Sequence, residues 1–301
     1  MSSSLVSKLV DLIRTTSSSL PTDVIKALKA AQRKERKGSS AAVVLRTILD
    51  NCAIAAKRGT PLCQDTGTLT FFVDERLRRK VTPAVIGKAV AIATEKGYLR
   101  KNTIDAVTGR SYDDNCALGA PVVHYVSGAG DSRSSRDSRN SRKTRPTVTL
   151  ILKGGGSENM SRQYSLPDAT LGAGRDLEGV RKCILDAVQK IQGYGCAPGI
   201  LGVCIGGDRA TGYEVAKEQL LRPLGEEEGR GKREQGTGNA LLGLEKRLLK
   251  EANGLGIGPM GLGGKTTLLG VKIAARPRVP ASFFVTIAYM CWACRRRSIT
   301  L

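Results

Sequence analysis

Residues 61–73 read Pro61-Leu62-Cys63-Gln64-Asp65-Thr66-Gly67 followed by Thr68-Leu69-Thr70-Phe71-Phe72-Val73. A turn punctuated by proline and glycine feeds a β-rich run, and the rest of the chain arranges itself around that change of pattern. Upstream, Leu5, Leu9, Leu12 and Ile13 recur at helical spacing, and Pro21-Thr22-Asp23 opens a second helix running from Val24 to Ala31. A third helical pattern spans Ala41 to Ala56, so residues 1–58 are predicted to be helical. Downstream, the pattern predicts helices over 83–98, 177–191 and 240–252. Short β-rich runs fall at 121–126, 147–152, 199–205, 268–275 and 282–290. The expectation is an α+β (mixed α/β) fold, with a helical N-terminal part followed by a mixed sheet with glycine-rich loops. One domain, 1–301, is expected, with insertions at 128–146 and 225–238 and no internal repeat.

The formal net charge is +21 with a single histidine, His124. Such a balance favours anionic partners. A net +4 of this excess lies in Asp131–Arg145 (DSRSSRDSRNSRKTR), whose six basic and two acidic residues cannot bury a core and read as a solvated insertion. Binding of nucleic acid through that segment is a rival reading, but no nucleic-acid motif or aromatic reading surface accompanies it. No apolar run is long enough to cross a bilayer. The N-terminus lacks the apolar core of a secretory signal, and its leucine spacing suits an ordinary first helix better than a mitochondrial presequence. A reduced compartment, cytoplasmic or mitochondrial, is expected, with the eight cysteines unpaired.

Three blocks join a cysteine to turn residues. In PLCQDTG a thiolate can be presented to a metal with Asp65 beside it as a general acid, although Asp-Thr-Gly is also ordinary turn chemistry. The second block is Gly195-Cys196-Ala197-Pro198-Gly199, leading into ILGVCIGGD. The third runs from Pro280 through an apolar strand to Cys291-Trp292-Ala293. Each cysteine taken alone is more often a small buried apolar residue. The Gly256–Gly261 stretch matches G-x-G-x-x-G only formally, because it follows a charged helix-like run, and Pro259 stands where a P-loop needs its first glycine.

Together, PLCQDTG, KGGGSEN, GCAPGILGVCIGGD, GIGPMGLGGKTT and VPASFFVTIAYMCWACRR, in this order, resemble the α-type region of class I fumarases and L-tartrate dehydratases. That resemblance implies a [4Fe–4S] cluster held by Cys63, Cys196 and Cys291, with the other five cysteines structural. It implies Asp65 as the catalytic acid, and Gln64, Arg100 and the Gly156 backbone N–H as substrate-binding groups. Arg110 is a weaker candidate. The implied reaction is reversible hydration of a C4 dicarboxylate, fumarate/malate ahead of tartrate, completed by a β-type domain or subunit in a dimer or heterotetramer. An inactive, truncated paralogue is the rival outcome. Some family members carry a histidine where this chain has Val279 and Pro280, so no histidine role transfers, and His124 is expected to be structural.

Overall fold

The computed structural model describes residues 2–127, 145–225 and 235–301. The Arg/Ser-rich insertion (residues 128–144 of it) and residues 226–234 of the second insertion lie outside the described residues. The fold is α+β, as the pattern predicts, and the chain divides into two compact units.

The first unit comprises residues 1–21, 50–155 and 293–301. Its sheet has the order β2-β1-β3-β8, with β1 at Thr68–Asp74, β2 at Val122–Val126, β3 at Thr147–Lys153 and β8 at Arg295–Thr300. β1 runs parallel to β2 and antiparallel to β3, and β3 is antiparallel to β8. Helix α1 (Ser2–Ser18) turns Leu9, Leu12 and Ile13 onto Leu69, Phe71, Leu150 and Leu152, so its leucine stripe is a core face. Helix α4 (Pro83–Glu95) adds Ile86, Ala89 and Val90 to the same core. Its start is set by Thr82, whose hydroxyl accepts from the Val85 N–H, with Pro83 in the first turn. His124 lies on β2 with its ring stacked on Phe72 at 5.2 Å, a packing role.

The second unit comprises residues 22–49 and 156–292. Its sheet has the order β4-β7-β5-β6, formed by Arg162–Ser165, Phe284–Met290, Gly199–Gly206 and Leu268–Arg276. β5 is parallel to β6 and antiparallel to β7. All of β5 is buried, which explains its unbroken apolar sequence. Helices α6 (Leu177–Ile191), α7 (Arg209–Gln219) and α8 (Gln235–Gly254) accompany it, and α2 (Thr22–Lys34) packs on β6. Helix α3 (Ser40–Arg58) spans the division in the chain. Residues 2–58 thus form three helices joined by short turns, in keeping with the helical reading of this stretch.

Four elements depart from the sequence reading, the short strand β4 among them. Gly155–Asn159, expected as a glycine loop, is the short helix α5. Helix α7 starts where Asp208 accepts from the backbone N–H groups of Ala210 and Thr211. Strand β8 is built from Arg295-Arg296-Arg297, a run whose charge hides its pairing with β3.

Candidate active site

The Cys63 loop is tied down before it reaches β1. The Leu62 N–H donates to the Ser17 carbonyl at 2.9 Å, and Asn51 Nδ2 donates to the Leu62 carbonyl at 3.0 Å. Cys63 and Asp65 are half-buried, Gln64 is exposed and Thr66 is buried. Gly67 has φ +80°, and a Cβ there would sit 2.6 Å from the Lys153 carbonyl, so only glycine lets the loop meet the end of β3. Gly154 serves the same junction, since a Cβ on it would stand 2.7 Å from Asp65 Oδ2. The absence of both side chains lets the Asp65 carboxyl lie against the main chain.

Arg295 reaches this loop from β8 and donates from Nη2 to the Asp65 carbonyl at 2.8 Å. It is 1% exposed, and its Nε and Nη1 are buried without a hydrogen-bond partner. A guanidinium keeps its charge when buried, so this cation raises the local potential beside the loop. The exposed Arg100 donates from Nη1 to the Gln64 carbonyl at 3.5 Å, and its backbone N–H donates to Thr66 Oγ1 at 3.2 Å. The first unit therefore brings Cys63, Gln64, Asp65 and Arg100 to one loop system. Arg110 is exposed, as a solvated arginine would be.

In the second unit Cys196 is exposed, has φ +54°, and closes a turn by donating its N–H to the Gly193 carbonyl. The Trp292 N–H donates to the Cys196 carbonyl at 3.3 Å, which joins the loop of Cys196 to that of Cys291. Ser157 Oγ accepts from the Cys291 N–H at 3.1 Å. The Tyr289 ring lies beneath the Cys196 loop, where Cβ atoms at Gly195 and Gly199 would come within 2.3 and 2.4 Å of it. Its hydroxyl is buried without a hydrogen-bond partner. Burial holds that phenol well above its usual range, with the nearby Cys291 and Cys196 thiols adding to the effect. Gly156 lies in the first turn of α5, with open space where a side chain would be.

The remaining cysteines have other surroundings. Burial pushes the thiols of Cys52 and Cys204 up to about 11 and that of Cys183 up to about 12, which keeps them protonated and inert. Cys294 is fully buried, and the Cys116 thiol donates to the Gly87 carbonyl at 3.4 Å. Cys63 and Cys291 are half-buried and Cys196 is exposed, so these three are among the thiols that a soft-metal cofactor could reach, and the donor set fits an iron–sulfur group. Among the described residues, no three His, Cys, Asp or Glu side chains are already gathered as a metal site. Likewise, no described helix is long and apolar enough to cross a membrane. The Gly256–Gly261 stretch follows helix α8 and not a strand, which removes the dinucleotide reading.

Sequence reasoning alone did not single out Arg295, Tyr289 or Asn115. Arg295 sits directly behind the CWAC block, but a run of arginines reads as surface. Tyr289 reads as one more apolar position of a strand.

Two four-stranded mixed sheets, each with a cysteine loop entering a central strand, define an α+β protein with thiols at strand ends and a carboxyl beside one of them. The chain belongs to the fumarate hydratase (Fumerase) family, whose model matches residues 6–300. It is 44% identical, over 98% of its length, to a protein of Geobacillus stearothermophilus provisionally named class I fumarate hydratase. It spans about half (54%) of that relative. It is 33% identical to a protein of Methanocaldococcus jannaschii provisionally named L(+)-tartrate dehydratase subunit alpha, covering 95% of this chain and 94% of that one. Identity to the L(+)-tartrate dehydratase subunit alpha of Escherichia coli K12 is 28%, covering 98% of this chain and 91% of that subunit.

Proposed function

We propose that this chain is the cluster-carrying α-type portion of a hydro-lyase that adds water to, or removes it from, a C4 dicarboxylate. The observation that carries the reading is the family match across residues 6–300, together with the three accessible cysteines of its signature blocks. Cys63, Cys196 and Cys291 would hold a [4Fe–4S] group, which would supply Lewis acidity toward the substrate oxygens. Asp65, set against Gly154, exchanges a proton with the C2 oxygen, giving it to the departing hydroxyl in dehydration and taking it from water in hydration. Arg100 presents a planar fork to one substrate carboxylate, and Gln64 and the Gly156 N–H orient the remaining oxygens. The base for the C3 proton comes from a β-type portion, in keeping with the greater length of the Geobacillus relative and the subunit names of the others. Fumarate and malate are the favoured pair, supported by the higher identity to the fumarase-named relative.

The test is iron and acid-labile sulfide per chain after anaerobic purification, for wild type and Cys196→Ser. About four of each in wild type, falling sharply in the variant, supports the reading. Wild-type chain that stays nearly iron-free after reconstitution identifies an inactive relative instead.

A further inference from the structure

Arg100 projects from an exposed stretch, and a solvated arginine does not by itself hold one direction. Its main chain, however, is fixed on both sides. The Arg100 N–H donates to the buried Thr66 hydroxyl at 3.2 Å, and the Arg100 carbonyl accepts from Asn115 Nδ2 at 2.8 Å. Asn115 is 0% exposed and left-handed at φ +59°, a conformation that asparagine tolerates better than most residues. Its amide is fully used. Nδ2 also donates to Thr94 Oγ1 at 3.0 Å, and Oδ1 accepts from the N–H groups of Asn102 and Thr103, both at 3.0 Å. Asn102, with its amide turned to satisfy its neighbours, donates to the Arg100 carbonyl at 3.2 Å and accepts from Thr66 Oγ1 and the Gly67 N–H at 3.3 and 3.1 Å.

The segment 100–103 is thus wrapped around one buried side chain, and the same network reaches Thr66 and Gly67, just beyond Asp65 in the chain. Past residue 103 the loop closes on itself. The Tyr112 N–H donates to the Thr103 carbonyl, and Asp105 Oδ1 accepts from the N–H groups of Val107 and Thr108. With both peptide groups flanking Arg100 held, its φ and ψ are set, and the direction of its Cα–Cβ bond is set with them.

We infer that Asn115 is the positioning residue for Arg100: it fixes the arginine's main chain relative to the Gln64–Asp65 turn, so that the guanidinium is carried to a substrate carboxylate without the loop first being ordered. Binding then avoids the entropy of freezing a mobile loop, which is where preorganisation adds affinity. The inference rests on the substrate-binding reading of Arg100.

Asn115→Asp keeps the volume and the left-handed backbone but replaces the two donors with an oxygen facing the Arg100 carbonyl. The measurements are made on the iron-loaded chain together with its β-type portion. The probe is succinate, which carries both carboxylates but has neither double bond nor hydroxyl to react. Calorimetry gives its Kd, and turnover of fumarate gives KM and kcat. Asn115→Asp is expected to raise Kd and KM together by roughly tenfold, because the Arg100 carbonyl loses its shortest hydrogen bond and faces an oxygen in its place, with kcat and iron content little changed. A purely structural asparagine would lower the folded fraction and leave the Kd of the remaining protein alone. If Asn115→Asp does not fold, Thr94→Val carries the test: it removes one acceptor of the same amide and is expected to raise Kd by roughly threefold. Wild-type succinate affinity in the folded variant, beside weakened affinity in Arg100→Lys, would overturn the clamp alone. Wild-type affinity in Arg100→Lys would overturn both the Arg100 reading and the clamp.

Discussion

The two units share a strand plan and differ in what they mount on it. Read from the parallel edge, the first sheet runs β2-β1-β3-β8 and the second β6-β5-β7-β4, each with one parallel and two antiparallel pairings. In both, a cysteine turn enters the leading central strand, Cys63 before β1 and Cys196 before β5. In both, the antiparallel neighbour ends beside that turn, since Lys153 pairs with Thr68 and Met290 with Ile200. The residues just past those ends are different in kind. After β3 come glycines that receive the Asp65 carboxyl, and after β7 comes a second cysteine. One plan thus mounts a cysteine, a carboxyl and glycines at one edge, and two cysteines at the other. Topology fixes where a site can lie, and the two or three residues at the strand ends fix its chemistry.

The strongest way to break this division is to exchange losses between the edges. Cys291→Ser should remove iron and sulfide along with activity. Asp65→Asn should keep the iron and lose roughly 10²- to 10⁴-fold in turnover. Metal analysis beside initial rates separates them, and iron loss in Asp65→Asn would end the distinction.

Next in size is the close approach at each turn. Gly67→Ala should destabilise by ~3 kcal/mol or more, because the obstacle is the Lys153 backbone and φ is positive. Gly199→Ala should cost ~1–3 kcal/mol, because the obstacle is the Tyr289 ring. Thermal unfolding of Gly199→Ala/Tyr289→Leu should show a smaller loss than the two single changes combined, whereas no side-chain change should rescue Gly67→Ala. Additive losses at Gly199 would show that the ring is not the obstacle.

Cysteines away from the strand ends should be dispensable for metal. Cys183→Ala is expected to leave iron per chain unchanged and to lower stability by on the order of 1 kcal/mol, as a small cavity would.

The smallest effect concerns acid. Burial alone would raise the Asp186 carboxyl, but hydrogen bonds from Lys190 and Tyr164 outweigh it and hold the group below its usual range. A depressed carboxylate contributes stability above its unfolded value, and that contribution fades as pH falls through the folded one. The stability gap between wild type and Asp186→Asn, read from urea unfolding, should therefore be present at neutral pH and shrink below about pH 4. A gap independent of pH would assign it to packing.

Much of this was legible in the sequence. The leucine spacing of α1, the Phe71-Phe72 strand and the unbroken apolar β5 all come from burial, which composition records directly. Strand β8 was not legible, because Arg295, Arg296 and Arg297 carry charges that only their surroundings accommodate. Helix α7 has a weak apolar face, and Asp208 as its cap was the available signal. The matching strand plans left no trace as a repeat, since pairing order depends on backbone geometry that different side chains can satisfy. The cysteine blocks stood out, but the groups that hold them did not. Tyr289 under Gly195 and Gly199, Arg295 behind Asp65, and Asn115 behind Arg100 become visible only when residues far apart in the chain are brought together.

The first unit is discontinuous: residues 156–292 are spelled out before its last strand, β8, is made. During synthesis the second unit can collapse as soon as its own residues have emerged. The first sheet waits for Arg295–Thr300, and with it the hydrogen bond that Arg295 gives the Asp65 loop. The order of translation therefore lets the loops of Cys196 and Cys291 form before the Asp65 loop receives its hydrogen bond from Arg295.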